Sequence, residues 1–275
     1  MAISVLINGQ SPGDLNHALA LGDRGFHYGD GVFETALLIG GRVRFLSDHL
    51  DRLFRGCEVL GIRIPSRSVF EQEIARVTRD LGGGVLKIIV SRGAGQRGYR
   101  PASDHTATRV IALYPDNVDR ATSELRRIRL RWCEIRLGRN ARLAGLKHLN
   151  RLENVLAQSE WQDPAIEEGL MLDTEGEVVC GTASNVFAVR DNVLITPDLR
   201  FCGVRGVMRA QVLRAARELG IATEEAPLWP QDVEAASEVF MTNAVQGIRS
   251  VFALGDAHWN DPVLAVEIAK ALQVA

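Results

Sequence analysis

Gly145-Leu146-Lys147-His148-Leu149-Asn150-Arg151-Leu152-Glu153-Asn154-Val155-Leu156 is the stretch around which the chain is organised. One lysine stands between apolar residues and the start of a helix. Asn150 is placed to cap that helix, and Glu153 three residues on completes a capping-box-like pair. Leu152, Val155 and Leu156 follow the 3–4 spacing of a buried helix face. Lys147 is thereby expected on a short connector at an element end, where rigid structure holds functional groups. Taken alone, the segment favours a solvated surface lysine, which most lysines are.

The 275 residues are enough for one large domain or two lobes, and 46% hydrophobic with 24% charged residues is ordinary for a globular chain. Lys+Arg 32 against Asp+Glu 34 gives −2, with arginine far outnumbering lysine, so no global field invites nucleic acid or an anionic membrane. Cys57, Cys133, Cys180 and Cys202 show no metal-ligand spacing and predict reduced thiols and no bound metal. The first ten residues, MAISVLINGQ, lack a basic segment followed by an apolar run, and no stretch is long enough to cross a bilayer. A cytoplasmic protein is expected.

In order, Ile3 to Ile7 reads as a strand and Asn8-Gly9 as a turn. Residues 23–31, dense in glycine and charge, read as a sharply bent loop. Val32 to Ile39, the Gly40-Gly41 turn and Val43 to Phe45 form a hairpin. Ser47 is a plausible cap for a helix with Leu50, Leu53 and Phe54 inward. A helix from Ser66 to Leu81, an apolar strand from Val85 to Ser91 interrupted by Lys87, and a strand from Thr106 to Leu113 follow. Tyr114 to Ala121 reads as a linker. Beyond it come strands near Leu125 to Cys133, Gly169 to Leu172, Val186 to Val189, Val193 to Ile195 and Glu238 to Thr242. A helix runs from the Gly203-Val204-Arg205-Gly206 turn to Gly220, and a terminal helix starts at Asp261-Pro262.

Four features bear on chemistry. Gly203 to Gly206 before a helix makes an anion site by geometry and dipole. Met241-Thr242-Asn243-Ala244 after an apolar strand offers a hydroxyl and backbone N–H groups. Arg52 on a helix flank suits bidentate phosphate binding. Arg97-Gly98-Tyr99 at a strand end suits a carboxylate. Each alone has an ordinary structural reading. A lysine plus three anion-binding candidates suggests a phosphorylated aldehyde held as a Schiff base, and pyridoxal phosphate is the common cofactor of that kind.

The chain resembles the fold-type IV pyridoxal-phosphate enzymes. The matching pieces are Asp23-Arg24-Gly25, Tyr28-Gly29-Asp30-Gly31-Val32-Phe33-Glu34, His49-Leu50-Asp51-Arg52-Leu53, Lys147-His148-Leu149-Asn150, Ser184-Asn185-Val186-Phe187 and Gly203-Val204-Arg205-Gly206. Within the family it is most similar to the aminodeoxychorismate lyases, through the run Ser91 to Tyr99, through Leu137-Gly138-Arg139-Asn140 and through Leu143 to Glu153. The resemblance implies a two-lobed α+β fold with a cleft. It places a small N-terminal lobe at 1–114, a linker at 115–123 and a larger lobe at 124–275 carrying the lysine. It implies that Lys147 bears the cofactor. Arg52, the Val204 and Arg205 backbone and the turn Thr242-Asn243-Ala244 would hold the phosphate, with Asn185 and Cys180 also at the cofactor. Arg97, Tyr99, Arg139, Tyr28 and Thr35 would face the substrate, 4-amino-4-deoxychorismate. The activity implied is elimination of pyruvate to give 4-aminobenzoate for folate synthesis, in a homodimer. A branched-chain or D-amino-acid aminotransferase is the alternative, and a non-catalytic cofactor-binding relative the second.

One position departs from the family. A glutamate five residues before the Ser-Asn asparagine normally keeps the pyridine nitrogen protonated, and here that position is Cys180. Glu177 lies an odd number of residues away and would face the other side of a strand. A thiol gives a weaker electron sink, which harms transamination more than an elimination that also gains an aromatic ring.

Overall fold

The computed structural model describes residues 4–15, 19–115 and 125–274. They divide into two compact units, Met1–Asp119 with Leu146–Asn150, and Arg120–Gly145 with Arg151–Ala275. Most of the predicted linker, residues 116–123, lies outside the described residues, and Pro115 is the last residue of a strand.

The first unit contains β1 (Ser4–Ile7), α1 (Arg24–Tyr28), β2 (Gly31–Ile39), β3 (Arg42–Val43), α2 (Leu46–Leu60), α3 (Arg67–Thr78), β4 (Gly83–Ser91) and β5 (Thr108–Pro115). Its five strands pair antiparallel in the order β1-β5-β4-β2-β3. The β2–β3 hairpin turns on Gly40 and Gly41, both at positive φ (+55° and +76°), as a two-residue turn that follows the strand twist requires. Alternation along β4 sends Leu86, Ile88 and Val90 to a core shared with Leu50, Leu53 and Cys57 of α2 and Phe70, Ile74 and Val77 of α3. The opposite face of β4 and β2 presents Val85, Lys87, Ile89, Phe33 and Thr35, all half-buried.

Two local expectations are corrected first. The predicted loop at 23–31 contains helix α1, because Asp23 accepts a hydrogen bond from Gly25 N at 2.8 Å and Gly29 closes the turn in the left-handed region. Helix α2 starts one residue before Ser47, with Phe45 at its N-cap and no side-chain cap bond. The Ser47 hydroxyl instead accepts from Arg67.

The lysine segment, expected in the second lobe, belongs to the first unit. The Lys147 carbonyl accepts from Phe33 N at 2.9 Å, Leu149 N donates to the Gly31 carbonyl at 3.0 Å, and His148 bridges Val32. Residues 147–149 thus pair with the start of β2 as a short extra strand. The Asn150 side chain donates to the Gly29 carbonyl rather than capping a helix.

The second unit contains β6 (Arg127–Leu137), α4 (Leu152–Gln158), β7 (Glu168–Asp173), β8 (Val178–Gly181), β9 (Asn185–Arg190), β10 (Val193–Thr196), α5 (Val207–Glu218), β11 (Thr223–Glu225), α6 (Pro230–Glu234), β12 (Glu238–Asn243), β13 (Gly247–Leu254), β14 (Ala257–His258) and α7 (Leu264–Val274). Its sheet runs β11-β10-β9-β12-β13-β6-β7-β8, with β14 on β13. The β10–β11, β13–β6 and β6–β7 pairs are parallel and the rest antiparallel. The architecture is α+β, as expected. Ile128, Leu130, Leu170, Val186, Val239 and Val251 form the centre of its core. Strands β11, β13 and β14 and helix α6 were not anticipated. Helix α4 forms, but Leu152 (70% exposed), Val155 and Leu156 face outward within this unit instead of forming the predicted buried stripe. Glu153 accepts from Gly138 N at 2.8 Å and so is not a capping partner.

Candidate active site

In the first unit, Lys147 projects over the ring of Phe33, its Nζ 4.3 Å from the centroid. Its backbone is fixed by β2, so the amine is delivered by a paired strand rather than by a loose connector. Arg52 lies on α2 and is oriented by Glu34 of β2: its Nε donates to Glu34 Oε1 at 2.8 Å and its Nη2 to Oε2 at 2.6 Å. His49 Nδ1 meets the same Oε2 at 2.6 Å. Glu34 is 1% exposed. Burial pushes its carboxyl up, but the Arg52 guanidinium and His49 outweigh that and hold it below the usual carboxylate range. The carboxylate grips the planar guanidinium along one edge and fixes its orientation. Thr35, a sequence candidate, sits beside Phe33 on the same half-buried face of β2.

Arg97 is exposed, and Tyr99 is 85% exposed with its ring edge-on to Tyr28 at 5.5 Å. The loop carrying them is tied down by Arg24, which donates to the carbonyls of Gly98 and Tyr99 at 2.9 Å each, and by Tyr28 Oη, which accepts from Gly98 N. Arg24 and Arg92 both pair with Asp30. Sequence reading took these charges for loop polarity. The signal was there in the density of Asp23, Arg24, Asp30 and Arg92 around glycines.

In the second unit, the Asn185 amide donates to the Val204 carbonyl at 2.9 Å, and Asn185 lies opposite Thr242 across β9 and β12. This brings together Asn185, the turn before α5 and the turn after β12. A side chain at Gly206 would displace the Asn185 amide, since a Cβ there would sit 2.1 Å from Asn185 Oδ1. Around these turns, Arg205 N donates to the Gly145 carbonyl at 3.1 Å. The Thr242 hydroxyl donates to the Gly247 carbonyl at 3.0 Å and the residue is fully buried. Asn243 Oδ1 accepts from Val245 N and Gln246 N, which closes the turn containing Ala244.

Behind that turn stands a buried cluster that sequence reading missed. Glu168 accepts from Ala183 N at 2.8 Å and from Ser184 Oγ at 2.9 Å, and pairs with Arg249. Arg249 and Asn243 both donate to Ser184 Oγ. The cluster locks the Ser184-Asn185 strand entry to the Asn243 turn.

Cys180 is buried on β8 opposite Met171, in a cluster with Cys133 and Ala157. Burial pushes its thiol up to about 12, so it is an uncharged group at neutral pH. Arg139, a sequence candidate for the substrate, has its Nε donating to Asp173 at 2.7 Å and its Nη2 paired with Glu177 at 3.1 Å. The guanidinium is already committed to two carboxylates. Among the described residues no group of His, Cys, Asp or Glu could hold a metal ion, and no helix is long and apolar enough to cross a membrane.

The profile of the family Amino-transferase class IV matches residues 31–254. An aminodeoxychorismate lyase of Vibrio harveyi is 34% identical over 232 residues, covering 84% of this chain and 85% of its own. The crystal structure of 4-amino-4-deoxychorismate lyase from Pseudomonas aeruginosa superposes with a TM-score of 0.90 at 39% identity, covering 98% of both chains. A putative branched-chain-amino-acid aminotransferase of Methanocaldococcus jannaschii is 29% identical over 281 residues, covering 98% of this chain and 94% of its own. The chain belongs to the class IV amino-transferase family.

Proposed function

We propose that the protein is a pyridoxal-phosphate-dependent aminodeoxychorismate lyase. It releases pyruvate from 4-amino-4-deoxychorismate and leaves 4-aminobenzoate. The observation that carries this reading is the Lys147 amine, fixed by β2 and seated on Phe33, in a chain similar over nearly its whole length to two such lyases. The donor set fits the cofactor. In the first unit Arg52, oriented by Glu34, suits a phosphate and Lys147 suits an aldehyde; in the second, taken by itself, the first-turn N–H groups of α5 also suit a phosphate. The uncharged Cys180 does not suit a protonated pyridine nitrogen.

When bound, pyridoxal phosphate supplies an electron sink for the carbon that bears the substrate amine. Lys147 is the amine that would hold it, and the same Nζ would be the base that takes the proton from that ring carbon. The electrons of the broken C–H bond enter the ring, and the bond from the adjacent ring carbon to the enolpyruvyl oxygen breaks. Pyruvate leaves as its enolate, which takes up the proton held on the Lys147 amine, and the ring becomes aromatic. No keto acid is consumed, so the test is stoichiometry: pyruvate and 4-aminobenzoate in equal amounts without a keto-acid acceptor. Amino transfer that depends on a keto acid, with no pyruvate release, would support the aminotransferase reading instead.

Three predictions arise here. Glu34→Gln removes the charge that orients Arg52 and is expected to weaken cofactor retention roughly tenfold, read by equilibrium dialysis. In the parent protein the Glu34 carboxylate is depressed, so the Arg52 pairing is present at neutral pH and is lost as pH falls through that lowered value. An unchanged affinity would show that Arg52 needs no positioning. Cys180→Glu restores an anion and is expected to raise keto-acid-dependent amino transfer about tenfold, since one pKa-unit-scale interaction is worth a factor of ten. No change there would refute the electron-sink argument. The homodimer is also part of this proposal. Leu152, Val155 and Leu156 of the second unit leave an exposed apolar patch of the kind a second copy covers. Sedimentation is expected to give twice the 30.2 kDa chain mass, and a monomer would contradict it.

A further inference from the structure

The chain has three lysines, Lys87, Lys147 and Lys270. Lys270 is exposed on α7. The other two rest on one phenyl ring: Lys87 Nζ is 3.8 Å and Lys147 Nζ 4.3 Å from the Phe33 centroid. The two nitrogens are therefore closer together than the ~10 Å screening length of 0.1 M salt. A ligand whose amine and carboxylate sit at opposite ends of a six-membered ring fits such a pair.

The surroundings of Lys87 are apolar. One rung of the sheet reads Val5, Ala112, Lys87, Thr35, and the next reads Ile7, Val110, Ile89, Phe33. Lys87 is the one charged group on these two rungs, and Thr35, directly opposite it, supplies the hydroxyl. Burial lowers the Lys87 ammonium below the usual lysine value, although Glu34 on the other face of the sheet opposes this. Among the described residues no hydrogen bond or ion pair joins Lys87 to a protein group. Three other cations of the same unit are met by carboxylates: Arg52 by Glu34, Arg92 by Asp30 and Arg109 by Glu73. A half-buried ammonium with three donors and no protein acceptor is built to receive an anion from outside.

We propose that Lys87, with the Thr35 hydroxyl opposite it, binds the ring carboxylate of the substrate and so selects for a carboxylated ring whose amine is presented to Lys147. The proposal rests on the lyase reading and deepens it. Lys87 makes and breaks no bond. It contributes a charge-assisted contact that an uncharged analogue lacks.

The test uses the cofactor-loaded protein and two probes, 4-aminobenzoate and its uncharged isostere 4-aminobenzamide, each titrated against the visible absorption band. The parent protein is expected to bind the carboxylate roughly 10–100-fold tighter than the amide, the range for a hydrogen bond to a charged group. Lys87→Met should bring 4-aminobenzoate down to the level of the amide and leave the amide unchanged. Lys87→Arg should retain the preference. Carboxylate preference persisting in Lys87→Met, or equal loss of both probes, would overturn the proposal. Borohydride reduction and peptide mapping of the same samples separate the two readings. Label on Lys147 with carboxylate preference intact in Lys87→Met removes the Lys87 proposal alone. Absence of label on Lys147 in the parent protein removes the lyase reading and this proposal together.

Discussion

Lys147→Ala is expected to reduce pyruvate release by roughly 10⁴-fold or more, because one side chain serves as both cofactor attachment and proton acceptor. The protein should remain folded. The backbone carbonyl of Lys147, not its side chain, accepts from Phe33 N, and its neighbours His148 and Leu149 keep their pairing with β2. Circular dichroism should therefore match the parent while the visible band of the loaded protein disappears. The nearby Lys87 is no substitute, since its backbone is fixed at a different rung of the sheet. A loss smaller than about tenfold, the effect of one ordinary contact, would place the proton transfer on another group.

Glu168→Ala should be the most destabilising single change in the second unit. Glu168 is 3% exposed and holds Ala183 N, Ser184 Oγ and Arg249 at once. Its removal leaves the Arg249 guanidinium buried without its counter-charge, at a cost of about 3–5 kcal/mol. For a chain of this size that corresponds to a fall in Tm of roughly 6–20 °C, read by thermal unfolding. Glu168→Gln keeps an acceptor oxygen and should lose less. Combining Glu168→Ala with Arg249→Met should cost less than the two changes summed, because the orphaned charge is gone. Additive losses would show that the pair is not coupled. The cluster holds Ser184 and Asn243, so on the proposed reading cofactor affinity should fall together with stability.

What the sequence disclosed follows from the range of the interactions involved. The strands of the first unit were legible because alternation and glycine turns are local: Gly40-Gly41 and the β4 pattern of Leu86, Ile88 and Val90 needed no tertiary information. The lysine segment was misassigned because its decisive bonds span more than a hundred residues, from Lys147 to Phe33. Its local pattern was also misleading. Asn150 and Glu153 have capping spacing, yet one serves Gly29 and the other Gly138. The outward stripe of Leu152, Val155 and Leu156 has the same periodicity as a buried one, so spacing alone could not say which way it faces. The pairing of Arg139 with Asp173 and Glu177 was invisible at that sequence distance. The Glu168–Arg249 pair, separated by 81 residues, left no local trace. Lys87 did leave one, as the single charge in an apolar strand, and its meaning appears only when Phe33 brings it beside Lys147.

The most direct measurement is covalent. The loaded protein is reduced with borohydride, digested, and each of the three lysine-containing regions is weighed by mass spectrometry. The account predicts a phosphopyridoxyl addition on Lys147, with Lys87 and Lys270 unmodified. A modified Lys87 with Lys147 untouched, or no modified lysine at all, would contradict it.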